Sequence, residues 1–340
     1  MSSITQFPRG RRVNVDDAVV LAASARLTER DRYLIRLVGE HRVLTTGQVC
    51  ALGFGSVITA RHRLGALAGI GALRRFRPRT EVGSAPWHYL LGPLGAALLA
   101  AEDRDERKWL PRVREDRQLA LARSQRMAHI IGVNWFFAAL ARQAREGGGE
   151  LAEWLGEADA AGHYNNHARS RYADVALPHP DGSGTWAQDG CVVTFLLEFD
   201  TGSENLAQVA GKLEGYGRMA EGLADAELAC PPLLFRFPGP RRELAARAAL
   251  DRCRDAPALR IATTAISPEQ VSPAGPVWMP LTGAGGPQLR LIDLAEAMPD
   301  PWRSYRDDLG ERRDRMRRSA GPDDPDDPDD PDEPDEPDEP

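Results

Sequence analysis

The chain has 340 residues, of which 42% are hydrophobic and 27% are charged, so it is long enough for two folded domains and ordinary in composition for a globular protein. Its formal net charge of −7 is misleading, because 12 of its 50 acidic residues stand in the last stretch, from Pro322 onward. Residues 1–150 carry 24 Lys and Arg against 14 Asp and Glu. The basic surplus is therefore N-terminal, where it would attract a polyanion such as DNA.

Targeting and cysteine patterns exclude several classes of protein. The N-terminus lacks the apolar run of a signal peptide, and no later segment approaches the length of a transmembrane helix, so we expect a cytoplasmic protein without a membrane partner. The four cysteines lie far apart with no CxxC pair. Neither a disulfide framework nor a cysteine-rich zinc site is indicated.

The first hundred residues begin with a segment of low periodicity and two helix starts. Residues 1–26 are polar and basic, and we expect them to form a flexible arm. Thr28 with Asp31, and Thr45 with Gln48, have the spacing of capping boxes, and each pair precedes apolar residues at helical spacing. These patterns predict two short helices.

A third helix and a hairpin are predicted next. From Ser56 the sequence places Val57, Ala60, Leu64 and Leu67 on one face of a helix. Two short strand candidates around a turn follow, and then a short closing helix. Three helices followed by a hairpin are typical of a winged helix-turn-helix, which we assign to residues 27–102.

In a winged helix the third helix lies in the major groove and the wing touches phosphates or the minor groove. Arginine suits both phosphate and guanine, because its planar fork donates two parallel hydrogen bonds. The residues expected to contact DNA are Ser56, Thr59, His62 and Arg63 on the helix and Arg74, Arg75, Arg77 and Arg79 in the wing. The alternative is a protein-interaction winged helix whose arginines are solvated.

The rest of the chain predicts a second domain of α/β class. Residues 103–116 are charged and contain a proline, as linkers do, and residues 117–146 predict one long helix. We expect strands near 151–155, 172–177, 191–199, 232–237 and 258–263, and helices near 204–221 and 240–254. This α/β domain is assigned to residues 117–300. Residues 301–340 form a charged tail, which is expected to be disordered from about residue 320 because it has no apolar residue there.

Carboxylates mark a candidate site in this second domain. Glu198 and Asp200 stand two residues apart at the end of an apolar strand, and Asp174 stands at the start of another strand candidate. Such a trio could bind Mg²⁺ or Mn²⁺ and activate water against a phosphodiester. We therefore predict Asp174, Glu198 and Asp200 as metal ligands and, with Lys212, as catalytic residues. Equally, the strand-end carboxylates could simply cap the following helix.

Composition gives Lys212 added interest. The chain contains 41 arginines and only two lysines, Lys108 and Lys212. In a sequence that nearly always uses arginine, a lysine here suggests that a compact point charge matters, for example on a phosphate.

These elements resemble the PD-(D/E)XK nuclease-like superfamily, whose core has the order αβββαβ. Asp174 would match the first acid and Glu198 the second, but Asp200 stands where that motif has its lysine. Lys212, on the following helix, would be a migrated lysine, which puts nuclease activity in doubt.

The whole order of motifs is similar to the replication-relaxation family of plasmids and integrative elements. The residues that carry this resemblance are Leu44 to Gln48, Arg63 to Leu67, Gly71 and Leu73, Tyr89 to Gly92, Arg171 to Asp174, Glu198 to Glu204 and Lys212 to Tyr216. The resemblance implies a DNA-binding accessory protein of plasmid or integrative-element replication or transfer.

Its implied partners are double-stranded DNA and a replication initiator or relaxase, and a homodimer is compatible with it. Two alternatives stay open. One is a winged-helix transcriptional regulator with a non-catalytic α/β domain for dimerisation or sensing, and the other is a metal-dependent DNA endonuclease.

Overall fold

The protein is mixed α/β, with two sheets. The computed structural model describes residues 15–78, 84–169, 171–172, 175–253, 259–281, 286–298 and 300. Its helices are α1 (Asp17–Ser24), α2 (Glu29–Glu40), α3 (Thr46–Gly53), α4 (Val57–Gly69), α5 (Pro93–Asp103), α6 (Glu106–Trp109), α7 (Glu115–Arg123), α8 (Arg126–Arg145), α9 (Glu157–Ala168), α10 (Leu206–Asp225), α11 (Pro240–Arg252) and α12 (Leu294–Ala297). Its strands are β1 (Leu44–Thr45), β2 (Leu73–Phe76), β3 (His88–Leu91), β4 (Glu150–Gly156), β5 (Gly182–Gln188), β6 (Cys191–Phe199), β7 (Leu233–Arg236), β8 (Ile261–Thr264) and β9 (Met279–Pro280).

The first part of the chain, residues 15–113, is called the N-terminal unit below. Its helices surround a small antiparallel sheet of order β1-β3-β2. Both expected capping boxes are present, at Thr28 with Asp31 and at Thr45 with Gln48. In each box two backbone amides at the helix start gain side-chain acceptors, which fixes where α2 and α3 begin.

Helix α4 begins where the sequence predicts, with Ser56 as its N-cap. Ala60, Leu64 and Leu67 are buried, but Val57 is 46% exposed. The prediction for Val57 was wrong because this residue is the first of the helix and lies beyond the edge of the core that the later turns cover.

Two segments expected to be irregular are ordered. The end of the expected arm forms α1, whose N-cap Asp16 accepts a hydrogen bond from the amide of Val19 at 2.9 Å. The expected linker contains α6 and a 3₁₀ turn at Leu110–Val113, and the ring of Trp109 is completely buried in the first core. A buried tryptophan of this size fastens the segment to the N-terminal unit.

The second part, residues 115–298, is called the sheet unit. Instead of one long helix it starts with α7 and α8, separated at Ser124 and Gln125. Helix α8 is apolar on more than one side because its side chains pack into two hydrophobic cores. Ala138 packs into the core of the N-terminal unit, whereas Phe136 and Phe137 pack against the large sheet.

Six strands form the large sheet, in the order β4-β5-β6-β7-β8-β9. Strands β4, β5 and β6 are antiparallel neighbours, whereas β6, β7 and β8 are parallel and are connected through α10 and α11. Helices α9, α10 and α11 share one core cluster, and α8 lies in the cluster that includes Phe195 and Leu197 of β6. The sheet is therefore covered by helices on both faces, as its parallel part requires.

The strand predictions near 151–155, 191–199, 232–237 and 258–263 are confirmed approximately as β4, β6, β7 and β8. The strand expected near 172–177 was wrong for its described residues, which are not in a strand. The sequence pattern also missed β5, Gly182–Gln188, because this strand has few apolar residues. A side chain at Gly184 would meet the rings of Phe195 and Phe137 within 3 Å, so aromatic residues fill the space above it.

Within the described part of the chain, no helix combines the length and the apolar character needed to cross a membrane. The C-terminal tail, from residue 301, lies outside the described residues.

Candidate functional site

Glu198, the second-last residue of β6, binds two groups from α10. The ammonium of Lys212 donates to one carboxylate oxygen at 2.7 Å, and the hydroxyl of Tyr216 donates to the other. Lys212 and Tyr216 are four residues apart and thus lie on the same face of α10. Glu198 is only 4% exposed, and Tyr216 is completely buried. We call these three residues and their acidic neighbour Asp181 the Glu198 site.

The charges of this site are strongly coupled. Burial, and after it the negative charge of Asp181, raise the pKa of Glu198 to about 7, although Lys212 opposes the shift. Burial alone would lower the pKa of Lys212, but its two carboxylate partners, Glu198 and Glu204, hold that pKa above its ordinary value. The second partner lies 3.1 Å from the ammonium. Lys212 is thus charged at neutral pH and already occupied by protein carboxylates.

Asp181 is a member of the site that the sequence reasoning missed. It precedes β5, and because Gly182 pairs with Leu197, the next step of the same register sets Asp181 opposite Glu198. One carboxylate oxygen accepts from the amide of Phe199 at 2.7 Å. The signal was available as the doublet Pro180-Asp181, which is the literal start of a PD-(D/E)XK motif, followed by Glu198. Asp181 was overlooked because β5, which follows it, has few apolar residues and lacks the usual sequence pattern of a strand.

The second oxygen of Asp181 meets the Nε2 atom of His129, from α8, at 2.8 Å. Burial by itself would lower the pKa of His129, but the hydrogen bond and charge of Asp181 outweigh it and raise this pKa. The imidazole thus brings a titratable group from α8 to the carboxyl end of β6.

Asp200 does not join the Glu198 site. Its oxygens bind the guanidinium of Arg242, at the start of α11, with Nη2 at 3.1 Å, and one oxygen also accepts from the amide of Gly202 at 2.7 Å. Arg242 also donates to the carbonyl of Glu204. Asp200 therefore connects the loop after β6 to α11. The alternative that it caps the following helix was wrong, because the N-cap of α10 is Asn205.

A divalent cation does not fit the described arrangement. Asp174 lies outside the described residues, and among those described no group of three or more His, Cys, Asp or Glu side chains could hold a metal ion. Both oxygens of Glu198 are held by Lys212 and Tyr216, and those of Asp200 by Arg242. Metal ligation would require these hydrogen bonds to break first.

The outer face of α4 presents the other set of candidate residues. Ser56, Thr59 and His62 are all exposed. Arg61 is exposed as well, although it was not among the predicted residues. The exposed residues Ser56, Thr59, Arg61 and His62 are called the α4 face below.

Arg63 lies on the same helix but is engaged in the fold. Its guanidinium donates to both oxygens of Asp31, the N3 residue of α2, whose side chain is 1% exposed. Burial by itself would raise the pKa of Asp31, but the hydrogen bonds from Arg63 and Thr28 hold it below its ordinary value. Arg63 therefore fastens α4 to the start of α2.

The four arginines that were predicted to lie in a wing separate into two groups. Arg74 donates to the side chain of Gln118 at 2.9 Å and so points toward α7. Arg75 and Arg77 lie over the ring of Trp87, at 4.5 and 4.4 Å from its centroid. Arg79 lies outside the described residues. Arg75 and Arg77 thus lie together on one side of the hairpin, and Arg74 points away from them, because neighbouring residues of a strand point to opposite faces.

Comparison with known proteins gives one match. The replication-relaxation family model matches residues 35–229, which is more than half of the chain and includes α4, Asp181, Glu198 and Lys212. Searches of curated proteins and of solved structures give no match. The chain therefore belongs to the replication-relaxation family, which associates it with the replication or relaxation of mobile elements.

Proposed function

We propose that the protein is a DNA-binding accessory factor of plasmid or integrative-element replication or transfer, and that its N-terminal unit binds duplex DNA as a winged helix. The observation that carries the proposal is the α4 face, where Thr59, Arg61 and His62 are exposed. Helix α4 follows helix α3, which starts with a capping box, after a short turn. Hydroxyl, guanidinium and imidazole groups are those that read base edges and phosphates.

The hairpin after α4 supports this assignment. Strands β2 and β3 are antiparallel, as wing strands are, and Arg75 and Arg77 are stiffened by their stacking on Trp87. Guanidinium groups held in this way lose less rotamer freedom when they bind a phosphate. The N-terminal unit would thus present the α4 face to the major groove and the two arginines to the backbone.

For the sheet unit we propose a nuclease-like fold that holds DNA or a partner without cutting. Helix α8, the antiparallel strands β4, β5 and β6, α10 and β7 follow the order of an αβββαβ core, with α9 as an additional helix between β4 and β5. The loss of nuclease chemistry is supported by the partners of Glu198 and Asp200, which satisfy both carboxylates within the protein. Its partner would be a replication initiator or relaxase.

The test is a fluorescence anisotropy titration of the full chain with short labelled duplexes at several salt concentrations. Arg61→Ala with His62→Ala should weaken duplex binding about tenfold or more, since each base or phosphate contact is worth about 1–3 kcal/mol. The matched control is Arg252→Ala, because Arg252 is also an exposed helical arginine but lies on α11.

Equal binding by the α4 variant and the control would overturn the assignment of duplex binding to this face. A transcriptional regulator is the competing function, and it would protect its own promoter in a footprint in preference to origin or transfer-region DNA.

A further inference from the structure

A cavity of about 780 Å³ lies between the N-terminal unit and the sheet unit. One wall is formed by the end of α2, by His41 directly after it, and by the segment from α6 to the 3₁₀ turn. Helices α7, α8 and α9 form the other, and Asp181 with its partner His129 lies at the border. The cavity therefore opens onto the Glu198 site, although it is built mostly from other residues.

Positive charge predominates in the cavity lining. The acidic side chains are Glu40, Glu157, Asp159 and Asp181. The basic side chains are Arg42, Arg107, Lys108, Arg112, Arg117, Arg126 and Arg169. Some of these cations have protein partners, such as Arg126, which binds Glu157 at 3.0 Å, but Arg42, Arg117 and Arg169 are exposed. An anionic ligand is favoured in a cleft of this sign.

Two polar atoms in the cavity wall have no partner among the described residues. They are Nε2 of His41 and Nε1 of Trp154, and both are buried. The two rings stack with centroids 3.4 Å apart, and the other side of Trp154 is stacked on Phe137. The rings are thus fixed in place, and His41 is only 5% exposed. Buried polar atoms are rarely left without a partner, so these two nitrogens are available to a water molecule or to a polar ligand.

The size of the cavity excludes a double helix. A cube of 780 Å³ has an edge of about 9 Å. The major groove of B-DNA alone is about 12 Å wide, so a whole duplex is wider than the cavity. It lies within the range of about 300–1,000 Å³ that is typical of small-molecule sites. One or two nucleotides of an unpaired strand are of suitable size and charge.

The cavity is also separate from the α4 face. Asp31, which holds α4 through Arg63, is at the N-terminal end of α2, whereas His41 follows its C-terminal end. The 12 residues of α2 span about 18 Å at 1.5 Å per residue. The α4 face and the cavity therefore lie near opposite ends of α2.

We propose that this cavity binds single-stranded DNA and leads it toward Asp181. The exposed arginines would contact successive phosphates, and the ring nitrogens of His41 and Trp154 would bond to a base or sugar of the strand. Because family membership associates the protein with replication or relaxation, a separated strand is a chemically suitable ligand next to a duplex site. This inference rests on the proposed function only in taking DNA as the ligand.

The experiment measures binding of a labelled oligothymidylate and of a labelled duplex to the full chain. Arg117→Glu combined with Arg169→Glu should weaken single-strand binding at least tenfold and change duplex binding by less than twofold. Loss of two phosphate contacts should also reduce the slope of log K against log salt by about 1.4. The matched control is Arg252→Glu, an exposed arginine that does not line the cavity.

Urea unfolding of each variant shows whether it is folded, and Arg169→Glu alone provides a milder second variant with the same expected direction. If the oligothymidylate binds the wild type and both variants equally, or if free thymidine monophosphate competes as well as the oligonucleotide, the proposal of a strand-binding cavity is wrong. If the duplex binds and the single strand does not, this inference fails while the proposed function stands. Loss of duplex binding in the α4 variant alone tests the proposed function separately.

Discussion

The α4 face and the Glu198 site carry polar side chains of the same kinds in opposite situations. On α4, Thr59, Arg61 and His62 are exposed to solvent, whereas Glu198 is 4% exposed and holds Lys212 and Tyr216. An exposed side chain can be exchanged with little loss of stability, but a buried charge that loses its partner is costly. The comparison therefore separates residues that we propose to bind DNA from residues that maintain the fold, and each prediction below tests that separation.

The largest effect on stability is expected at Lys212. Lys212→Met removes the ammonium from the buried carboxylate of Glu198, and we expect it to lower the free energy of unfolding at pH 8 by about 2–3 kcal/mol. Urea unfolding measures this change. Duplex binding should remain within twofold, because the α4 face is untouched.

Lys108→Met is its matched control, since these are the two lysines of the chain. Lys108 stacks on Trp109 with its Nζ atom 4.7 Å from the ring centroid, and its loss should cost less than about 1 kcal/mol. If both variants were equally stable, the view of the Glu198 site as a stabilising cluster would be contradicted.

The pH dependence of stability should change when Glu198 is replaced. The pKa of Glu198 is raised from its ordinary value of 4.5 to about 7, so the native state keeps a proton that the unfolded state releases between these values. Its stabilising contribution is complete below pH 4.5 and is lost as the pH rises to about 7. Between pH 5 and pH 8 the wild type should lose on the order of 2 kcal/mol relative to Glu198→Gln.

The comparison of variant with wild type is needed because histidines with shifted pKa values, His41, His88 and His129, also make the stability depend on pH in this range. Burial, and after it the charge of Arg112, lower the pKa of His41 to about 3, which favours the native state as the pH rises toward 6.5. His129 acts in the opposite direction, because its pKa is raised by Asp181. The contribution of His41 cancels in the difference, whereas that of His129 changes with the variant, since the charge of Glu198 also raises its pKa. Parallel curves for wild type and Glu198→Gln would refute the raised pKa of Glu198.

Arg63 sharpens the distinction, because it lies on α4 but is paired like the residues of the Glu198 site. Arg63→Ala should destabilise the protein by about 1–2 kcal/mol, a value reduced because the guanidinium is partly exposed. Urea unfolding is compared with Arg61→Ala, which should change stability by less than about 0.5 kcal/mol. If Arg61→Ala were the more destabilising of the two variants, side-chain exposure would not distinguish residues of the α4 face from residues that stabilise the fold.

The last prediction is that the protein does not cleave DNA, so that substitution of Asp181 changes nothing in a cleavage assay. Wild type and Asp181→Ala, each incubated with supercoiled plasmid and Mg²⁺ or Mn²⁺, should leave the DNA intact, because the described carboxylates are already paired. Nicking by the wild type that disappears in Asp181→Ala would establish a nuclease and contradict the binding-only proposal.

Local signals predicted the fold best. The capping boxes at Thr28 and Thr45 depend on residues three apart, so the starts of α2 and α3 follow from the sequence. The apolar run of β6 was equally clear in the sequence, but the N-cap of the helix after it, Asn205, was not identified. In contrast, β5 is specified by aromatic residues from α8 and β6 that cover its glycines, and such distant packing leaves no period in the strand itself.

The candidate site was predicted in part for the same reason. Glu198 and Lys212 were identified, because a strand-end carboxylate and a rare lysine are visible in sequence, but their direct pairing depends on how α10 packs on β6. Asp181 was missed because only the register of β5 with β6 brings it to Glu198. The partners of Arg63 and Arg74, Asp31 and Gln118, are 32 and 44 residues away in the chain, beyond the reach of pattern reasoning.

The central claim is that duplex DNA lies on the α4 face, and site-specific photocrosslinking of the full chain tests it most directly. A benzophenone amino acid is placed at Thr59, or at Arg252 on α11 as the control, and irradiated with a labelled duplex at low salt. The account predicts a crosslink from position 59 that weakens as salt is added, and little from position 252. Crosslinking from position 252 with none from position 59 would contradict it.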